Sequence, residues 1–454
     1  KQVAPNLNQL GVMLPFTGIL QLLANKLNFS IVATSGNIHG SPIIKENSEA
    51  LEKLKDVADY FLQHNLIIEN PQDDSVVKFS NKFEQKIIFR RSRGYAPNYL
   101  NVAIGATEKI MAMGAHLKST IAFYPNENLY VSQYLGNLDN YDVYSRFIKT
   151  SENFMQLFEQ NPEVVLVDKH PLYQSTKYGK ELAKKVDLKL IEIQHHKAHF
   201  ASILGEYKLF NKKVLGVVFD GTGYGDDANI WGGEFFSYKE NKIDRIGHLE
   251  NFDWLLGDKM SKEPRVSLFA LASEEMNHVL QKKFKPHEIN NYRYLKSRNK
   301  LKTSSIGRLF DAVASLLNIT DFNSFEGEAA ILLENSISTY NLRKCKSYIE
   351  LNAVSFSAKK IIQNIYNDVI AEVEKEVIIV NFIYTLAMCI LNFSKEKGFD
   401  NIAFSGGVFQ NATLIDMLIE LAPEKIKLYF HNELSANDEN VSFGQLMHYL
   451  YIKE

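Results

Sequence analysis

The stretch "KVLGVVFDGTGYGDD", residues 213–227, most strongly indicates the fold class of this sequence. It begins with an almost continuous apolar run, which is typical of a buried strand in an α/β protein. The run ends at Phe219, and the residues after it include Asp220, Gly221, Thr222, Gly223 and Gly225. Glycines let backbone N–H groups approach a phosphate, and an aspartate can hold a cation, so this turn is a candidate nucleotide site. An ordinary hairpin turn is the alternative.

A second strand followed by glycines occurs in "IAFSGGVFQNATL", residues 402–414. Gly406 and Gly407 separate the strand from a predicted helix, and helix N-termini bind anions. Asn411 is a candidate for positioning a nucleotide, while close packing of the helix on the strand is the alternative. Two such elements are expected when a nucleotide lies between two similar lobes.

Histidines open a predicted helix in "KLIEIQHHKAHFASIL", residues 189–204. His195 and His199 are one helical turn apart, so their rings share a face and could hold a metal, unless the helix start is merely polar. Asp438, in "SANDENVSFGQL", is either a helix N-cap or a carboxylate ligand. With Asp220 these residues would form a site of two histidines and two carboxylates, which suits zinc or iron. His196 should point elsewhere, toward substrate or phosphate.

Acidic residues surround a glycine in "FEGEAAILLE", residues 325–334. Glu326, Gly327 and Glu328 are predicted to start a helix, where acids favour the helix dipole. Contact of these acids with a ribose is the alternative.

Composition places the chain among ordinary globular proteins. Of its 454 residues, 45% are hydrophobic and 23% charged, and no apolar run reaches the length of about 20 residues that a membrane helix needs. The net charge of −2 argues against broad nucleic-acid binding, so Arg91 and Arg93 are either a solvated loop or a phosphate site. Cys345 and Cys389 cannot build a zinc finger, and a reducing cytoplasm is the expected location.

The chain is predicted to contain two α/β parts. In residues 1–97 we expect a strand over 29–37, a helix from Ser48 to His64 capped by Ser48, and two paired strands in 73–79 and 86–92. The Ala96-Pro97 dipeptide marks a break. From residue 98 onward, strands end in polar or glycine-rich turns, and residues 256–345 are mostly helical by pattern.

These segments together resemble the HypF carbamoyltransferase family of [NiFe]-hydrogenase maturation proteins. The matching motifs include QHHKAH (194–199), FDGTGYGDDANIWGGEF (219–235), GRLFDAVASLL (307–317), FEGEAAILLE (325–334), FSGGVFQN (404–411) and NDENVSFGQ (437–445). Further matches are GVMLPFT (11–17), ATSGN (33–37), DDSVV (73–77), RRSRGYAP (90–97), MGAHLKST (113–120) and DKHPLYQSTKYG (168–179). They run in family order over nearly the whole chain.

The resemblance implies two domains. Residues 1–97 would be the C-terminal part of a YrdC-like α/β domain, which binds ATP; Ser35, Asn37, Arg91 and Arg93 match its nucleotide-contacting motifs. Residues 98–454 would be a TsaD-like domain of two ribonuclease H-like lobes of the actin and sugar-kinase type. By resemblance, the metal ligands of that domain are His195, His199, Asp220 and Asp438.

The implied reaction passes a carbamoyl group from carbamoyladenylate to the C-terminal cysteine of HypE. Carbamate derived from carbamoyl phosphate, ATP, Mg²⁺ and either zinc or iron are the implied substrates and cofactors, and no membrane or nucleic acid is expected as a partner. His196 or His170 could assist proton transfer, because imidazole titrates near neutral pH. The alternatives are a small-molecule O-carbamoyltransferase, a tRNA threonylcarbamoylation enzyme and an ATP-binding maturation scaffold.

The sequence departs from the family pattern in two respects. It contains neither the acylphosphatase-like domain, nor the two four-cysteine zinc motifs, nor the first half of the YrdC-like domain, so these residues are not expected to hydrolyse carbamoyl phosphate. Glu439 and Asn440 stand where the family has two glycines, which should change the loop after Asp438.

Overall fold

The computed structural model describes residues 3–4, 7–38, 40–100, 105–350 and 356–453, with only the backbone of 98–100. The chain divides into a first compact unit, residues 1–71, and a second, residues 72–454. This division falls 26 residues before the boundary at 97 that the motifs suggest, so residues 72–97 belong to the second compact unit (97 − 71 = 26). The domain boundary at 97 stays a prediction.

The first unit contains the helices α1 (Gly18–Lys26) and α2 (Asn47–Leu54). The prediction of a strand over residues 29–37 is wrong, because that stretch is irregular and mostly exposed. The helix expected from Ser48 to His64 ends at Leu54, and no side chain caps its start. Short helices depend on tertiary packing, and none of the described side chains of this unit is buried, so apolar spacing alone did not extend the helix.

The second unit begins with the hairpin of β1 (Val76–Phe79) and β2 (Lys86–Arg90), which pair antiparallel as expected. The first large sheet follows. Its strands are β3 (Asn98–Leu100), β4 (Ile110–Ala112), β5 (Ala122–Tyr124), β6 (Leu129–Val131), β7 (Val164–Asp168) and β8 (Lys189–Ile193). The helices of this part are α3 (Tyr141–Phe158), α4 (Gln174–Val186) and α5 (His195–Glu206).

The second large sheet is built from the C-terminal half. Its strands are β9 (Val214–Tyr224), β10 (Ile230–Lys239), β11 (Lys242–His248), β12 (Phe252–Asp253), β13 (Lys302–Thr303), β14 (Asn401–Ser405) and β15 (Lys427–Tyr429). The accompanying helices are α6 (Lys259–Lys262), α7 (Pro264–Leu271), α8 (Asn277–Lys283), α9 (Pro286–Arg298), α10 (Ile306–Leu316), α11 (Glu328–Asn335), α12 (Ala358–Ile370), α13 (Lys375–Lys397), α14 (Ala412–Leu421) and α15 (Val441–Tyr451). The predominantly helical region expected over 256–345 is confirmed.

The two sheets repeat one topology. The first contains the order β6-β5-β4-β7-β8, and the second contains the order β11-β10-β9-β14-β15. In each, the first three strands along the chain pair antiparallel and the next two run parallel to the first. This is the α/β architecture of paired ribonuclease H-like lobes, so the predicted fold class is confirmed. Helix α5 packs on the sheet of the second lobe, whereas α15 packs on α5 and on the first sheet.

Helix α13 corrects the expectation about membrane spans. By length and composition it could cross a membrane, although the sequence was expected to contain no such segment. Of the residues in its most apolar window, 67% are buried, and Ile379, Phe382 and Ile383 are fully enclosed in the core. Such burial is typical of a helix in the centre of a lobe.

The β1–β2 hairpin is anchored to α14 by one buried carboxylate. Asp416 accepts the backbone N–H groups of Lys82 at 2.9 Å and Phe83 at 3.2 Å. Hydrogen bonds to a charged group are among the stronger ones, so Asp416→Ala should lower the free energy of unfolding by about 2 kcal/mol. Chemical denaturation of the full chain measures this loss. Asp400→Ala is the control, because the Asp400 side chain takes part in an exposed ion pair with Lys425; an equal loss in both variants would contradict the anchoring role.

Candidate active site

Helix α5 begins directly after β8 and carries two histidines on one face. Gln194 caps the helix: its side-chain oxygen accepts the backbone N–H of Lys197 at 2.9 Å. His195 and His199 follow at a spacing of four residues, and both side chains are completely buried. The predicted helix start and the shared face of the two rings are therefore present.

Four side chains converge beside this helix. One ligand atom from each of His195, His199, Asp220 and Asp438 lies within 4.8 Å of the others. The Nε2 atom of His195 is 3.7 Å from a carboxylate oxygen of each aspartate. The Nε2 atom of His199 is 3.9 Å from Asp220 Oδ2 and 3.5 Å from Asp438 Oδ1.

The cluster fits a bound metal ion. Neither Nε2 atom has a hydrogen-bond partner within the described part of the chain, although both are buried. Ligands around a tetrahedral zinc ion, at bonds of 2.0–2.1 Å, stand about 3.3 Å apart, only slightly closer than these atoms do. Two imidazoles and two carboxylates also supply the donor types that zinc or iron accepts.

Opposite charges stabilise one another within the cluster. Burial alone would lower the pKa of His195, but its contacts with Asp168, Asp220 and Asp438 raise that pKa well above its usual value. Burial and the neighbouring Asp438 raise the pKa of Asp220, yet His195 and His199 bring it down to about 2. The pKa of Asp438 is likewise lowered by the two histidines against the effect of burial. The aspartates are therefore ionised and available as ligands.

Asp168, which the sequence analysis did not single out, orients His195. It ends β7, is fully buried and lies 2.8 Å from the Nδ1 atom of His195. Its other oxygen accepts the backbone N–H of His170 at 2.8 Å. In the sequence, Asp168 directly follows an apolar run, just as Asp220 does, and this pattern could have identified Asp168 as a candidate.

The glycines after Asp220 are arranged differently from the expected loop. Strand β9 does not end at Phe219 but continues to Tyr224, and the hairpin turn to β10 follows it. A Cβ atom at Gly223 would lie 2.4 Å from the His196 ring, and one at Gly225 would lie 2.2 Å from the Trp231 ring. Ring packing therefore accounts for these two glycines, whereas a Cβ at Gly221 would meet open space. Phosphate contacts by Gly221, Thr222, Gly223 and Gly225 stay a prediction.

The second glycine element contacts Asp220 directly. The N–H of Gly407 donates to Asp220 Oδ1 at 3.1 Å. Gly406 has a φ of +95°, and a Cβ there would lie 2.3 Å from the Phe219 carbonyl oxygen, so close packing requires glycine. Asn411 caps α14 by accepting the N–H of Leu414, while its buried Nδ2 has no partner among the described residues. That amide is free to bind a ligand.

Lys118 adds a cation near the cluster, and sequence reasoning missed it within MGAHLKST. It forms a 2.6 Å ion pair with Glu326, and α11 begins directly after Gly327, so the predicted helix start is present, although Gly327 has a left-handed conformation. Burial lowers the pKa of Lys118, but Glu326, Asp438 and Asp220 raise it overall. Glu326 therefore serves as a partner of Lys118, and the ribose contact of Glu326 and Gly327 stays a prediction.

Arg91 is built into the second unit. Its side chain is buried, and its guanidinium lies 3.4 Å from the carbonyl oxygens of Val131 and Ser132. Its backbone N–H donates to Glu439 at 2.8 Å, which ties β2 to the loop of Asp438. Burial raises the pKa of Glu439 to about 8. These contacts give Arg91 a structural role, and its nucleotide contact stays a prediction.

The remaining candidates for nucleotide binding lie apart in the chain. Arg93 is exposed and pairs with Asp74 at 3.3 Å. In the first unit, the Ser35 hydroxyl donates to the Asn37 side-chain oxygen at 2.6 Å, and Asn37 Nδ2 donates to the Ser41 carbonyl at 2.7 Å. Ser35 and Asn37 thus lie in one polar turn, and their nucleotide contacts stay a prediction.

His196 and His170 lie beside the cluster but outside the four ligands. Burial lowers the pKa of both, and for His196 the neighbouring His195 lowers it further. Gln194 Nε2 lies 3.2 Å from His196 Nδ1, and the N–H of Leu172 donates to His170 Nδ1 at 3.2 Å. Both Nδ1 atoms are acceptors, so each neutral ring carries its proton on Nε2.

Comparisons with known proteins agree with these motifs. The sequence profile of the HypF Kae1-like domain matches residues 105–206, and that of the carbamoyltransferase Kae1-like domain, second subdomain, matches residues 216–445. A profile described as telomere recombination, of the Sua5/YciO/YrdC family, matches residues 1–92. The chain is 34% identical to a probable carbamoyltransferase HypF of Methanocaldococcus jannaschii and 33% identical to carbamoyltransferase HypF of a Synechocystis strain, each over 98% of this chain.

Solved structures show the same likeness. A crystal structure of full-length HypF in the phosphate- and nucleotide-bound form superposes with a TM-score of 0.87 at 36% identity, covering 98% of this chain and 71% of that one. HypF of T. kodakarensis gives 0.87 at 29% identity, with 99% and 61% covered. The chain spans 59% and 60% of the two curated relatives above. On these matches, the chain belongs to the HypF carbamoyltransferase family.

Proposed function

We propose that this chain transfers a carbamoyl group from carbamoyladenylate to the C-terminal cysteine of a HypE-like partner, as a step of [NiFe]-hydrogenase maturation. The observation that carries the proposal is the buried cluster of two histidines and two aspartates in a chain of the HypF family. A cytoplasmic location is part of the proposal, because Cys345 and Cys389 are both free thiols.

His195, His199, Asp220 and Asp438 would hold zinc or iron. When bound, such an ion acts as a Lewis acid that stabilises negative charge on oxygen. The protein contributes the rigid position of the ligands, because Asp168 fixes His195 and the N–H of Gly407 fixes Asp220. Ligands held in place by such outer partners need no rearrangement during the reaction.

The reaction forms a C–S bond and breaks a C–O bond. The partner's thiolate attacks the carbamoyl carbon. The bond between that carbon and a phosphate oxygen then breaks, and AMP leaves with the electron pair of this bond on its oxygen. The nucleophile comes from the partner, which agrees with burial raising the pKa of the Cys389 thiol of this chain to about 12. Lys118, which pairs with Glu326 at 2.6 Å, would offset the negative charge of the substrate.

His196 and His170 would act as hydrogen-bond donors in this reaction. Their neutral rings present Nε2–H, because Nδ1 already accepts a hydrogen bond in each. A donor of this kind suits an oxygen that gains negative charge as the tetrahedral intermediate forms. His196 and His170 would therefore assist the reaction by donating a hydrogen bond to oxygen, and not by removing a proton from a thiol.

Nucleotide binding is proposed for both units. The first unit would contact ATP through Ser35 and Asn37, with Mg²⁺ on the phosphates. In the second unit, Asn411 Nδ2 and the amides after Asp220 would contact the adenylate. The relative described as phosphate- and nucleotide-bound supports this part of the proposal.

The test supplies preformed carbamoyladenylate and a HypE-like partner to the metal-loaded full chain. Mass spectrometry of the partner's C-terminal peptide should show one added carbamoyl group on the cysteine. A partner with its terminal cysteine replaced by serine is the control and should stay unmodified. If metal and nucleotide bind but no adduct forms, the proposal fails; an adduct on a small-molecule hydroxyl would instead indicate an O-carbamoyltransferase.

A further inference from the structure

A chain of polar side chains that the proposed mechanism does not use lies behind His199. His199 Nδ1 is 3.3 Å from Ser405 Oγ, and Ser405 Oγ is 3.1 Å from His431 Nε2. His431 Nδ1 is in turn 2.5 Å from Glu206 Oε2. His199 and Ser405 are completely enclosed, His431 is 5% exposed, and the Glu206 side chain is 7% exposed. Water therefore has little access to these contacts.

The chemistry of these groups gives the hydrogen bonds one direction. A carboxylate only accepts, so His431 Nδ1–H donates to Glu206. The Nε2 atom of His431 faces the side-chain N–H of Asn440 at 3.4 Å, and because an amide N–H can only donate, this Nε2 is an acceptor and receives the hydrogen bond of the Ser405 hydroxyl. That leaves the oxygen lone pairs of Ser405 to accept His199 Nδ1–H, together with the side-chain N–H of Asn440 at 3.2 Å. The Ser202 hydroxyl, 3.3 Å from the same Nε2 atom, already donates to the His199 carbonyl oxygen at 2.7 Å and therefore leaves this acceptor to Ser405.

The direction of these hydrogen bonds determines which ring nitrogen of His199 carries the proton. Because Nδ1 of His199 carries the proton, its Nε2 is left with a lone pair that faces Asp220 and Asp438. A metal-binding imidazole needs this tautomer, and outer partners usually impose it. His195 obtains the same tautomer directly from Asp168, whereas His199 obtains it through three further residues.

Helix α5 carries the first and the last member of this row of hydrogen-bonded side chains. His199 and Glu206 lie two turns apart on α5, and the two oxygens of Glu206 are used differently. Glu206 Oε1 accepts the backbone N–H groups of Asn432 at 2.7 Å and Glu433 at 2.8 Å, which fixes the segment of His431 against the helix. The position of His431 relative to His199 is therefore set by the same helix that carries the ligand.

We propose that His431 is a positioning residue of the site, which acts through Ser405 to fix the tautomer and ring orientation of His199. The inference deepens the proposed function, because it rests on the metal site proposed above. It predicts that His431, although it touches none of the four ligands, controls how tightly the site binds a metal.

The experiment is a Co²⁺ titration of the full metal-free chain, read by visible absorption and by competition with a chelator. His431→Ala should weaken Co²⁺ binding about tenfold and shift the absorption spectrum, as loss of an outer partner of a metal ligand does. Ser405→Ala should weaken it at least as much. Combining the two should cause no further loss than Ser405→Ala alone, because His431 acts through Ser405.

Two further variants separate positioning from general loss of structure. Tyr207→Phe removes the 2.6 Å bond from the Tyr207 hydroxyl to the Phe430 carbonyl, which joins the same segments without reaching His199, so it should leave Co²⁺ affinity unchanged. Glu206→Gln keeps the packing and should weaken binding in the same direction as His431→Ala, but less.

Each contrary outcome has a distinct meaning. Unchanged affinity in His431→Ala, additive losses in the double variant, or an equal loss in Tyr207→Phe would each overturn the role of His431 while leaving the metal site standing. Failure of the unaltered chain to bind Co²⁺ would overturn the metal site itself, and the role of His431 with it.

Discussion

We expect His199→Ala to lower the affinity of the protein for Zn²⁺ by at least about 100-fold and to abolish the proposed carbamoyl transfer. The affinity of a four-ligand zinc site corresponds to roughly 12 kcal/mol, so one ligand contributes about 3 kcal/mol, or two powers of ten. Water cannot easily replace the lost nitrogen, because His199 is completely buried. Chelator competition measures the affinity, and the partner-peptide assay measures the transfer.

His196→Ala is the matched control for this prediction. His196 is equally buried and lies on the same helix, but it is not one of the four converging residues. It should keep the Zn²⁺ affinity within about threefold while slowing the transfer, because its proposed role is donation to oxygen. Full metal occupancy in His199→Ala would refute the ligand assignment, and an equal loss of metal in both variants would show that any disturbance of α5 empties the site.

Gly444→Ala should destabilise the protein by about 3 kcal/mol, although alanine favours a helix. A Cβ atom at this position of α15 would lie 1.9 Å from the carbonyl oxygen of Ala198 and 2.6 Å from its carbonyl carbon. Those atoms belong to the backbone of α5, between His195 and His199, and cannot rotate away. The helix that carries both histidines must shift, so Co²⁺ affinity should fall together with the midpoint of chemical denaturation.

Gly205→Ala tests the same helix contact from the other side. A Cβ at Gly205 would lie 2.5 Å from Met447 Cγ, which is part of a flexible side chain. Met447 and the Phe443 ring, 3.0 Å away, are side chains that can shift, so the cost should be about 1 kcal/mol and Co²⁺ affinity should stay unchanged, because α5 can keep its position. A Gly444→Ala protein as stable as the Gly205→Ala protein would contradict the close approach of the two helices.

Local patterns were sufficient to identify several strands of the second unit and the candidate ligands. The apolar run before Asp220 lies in β9, the run before Gly406 forms β14, and the hairpin before residue 97 is present. Apolar runs and turn residues encode such elements over a few neighbouring positions. The same reasoning predicted too much regular structure in the first unit: a helix that continues beyond Leu54 and a strand over residues 29–37. The spacing of apolar residues does not show whether a core exists for them to pack against.

The α/β class, the pair of histidines on one helical face and the acidic residues at strand and loop ends could be read from local patterns of residues. The meeting of His195 and Asp438 within one cluster could not, because 243 residues separate them in the chain (438 − 195 = 243). Folding also brings Asp168, Ser405 and His431 behind the histidines, and it carries β9 through the glycine-rich stretch instead of ending the strand before it. Periodicity reports which side of an element is buried, whereas the partner it is buried against depends on strand order and helix crossing. Those are set by contacts between residues far apart in the chain.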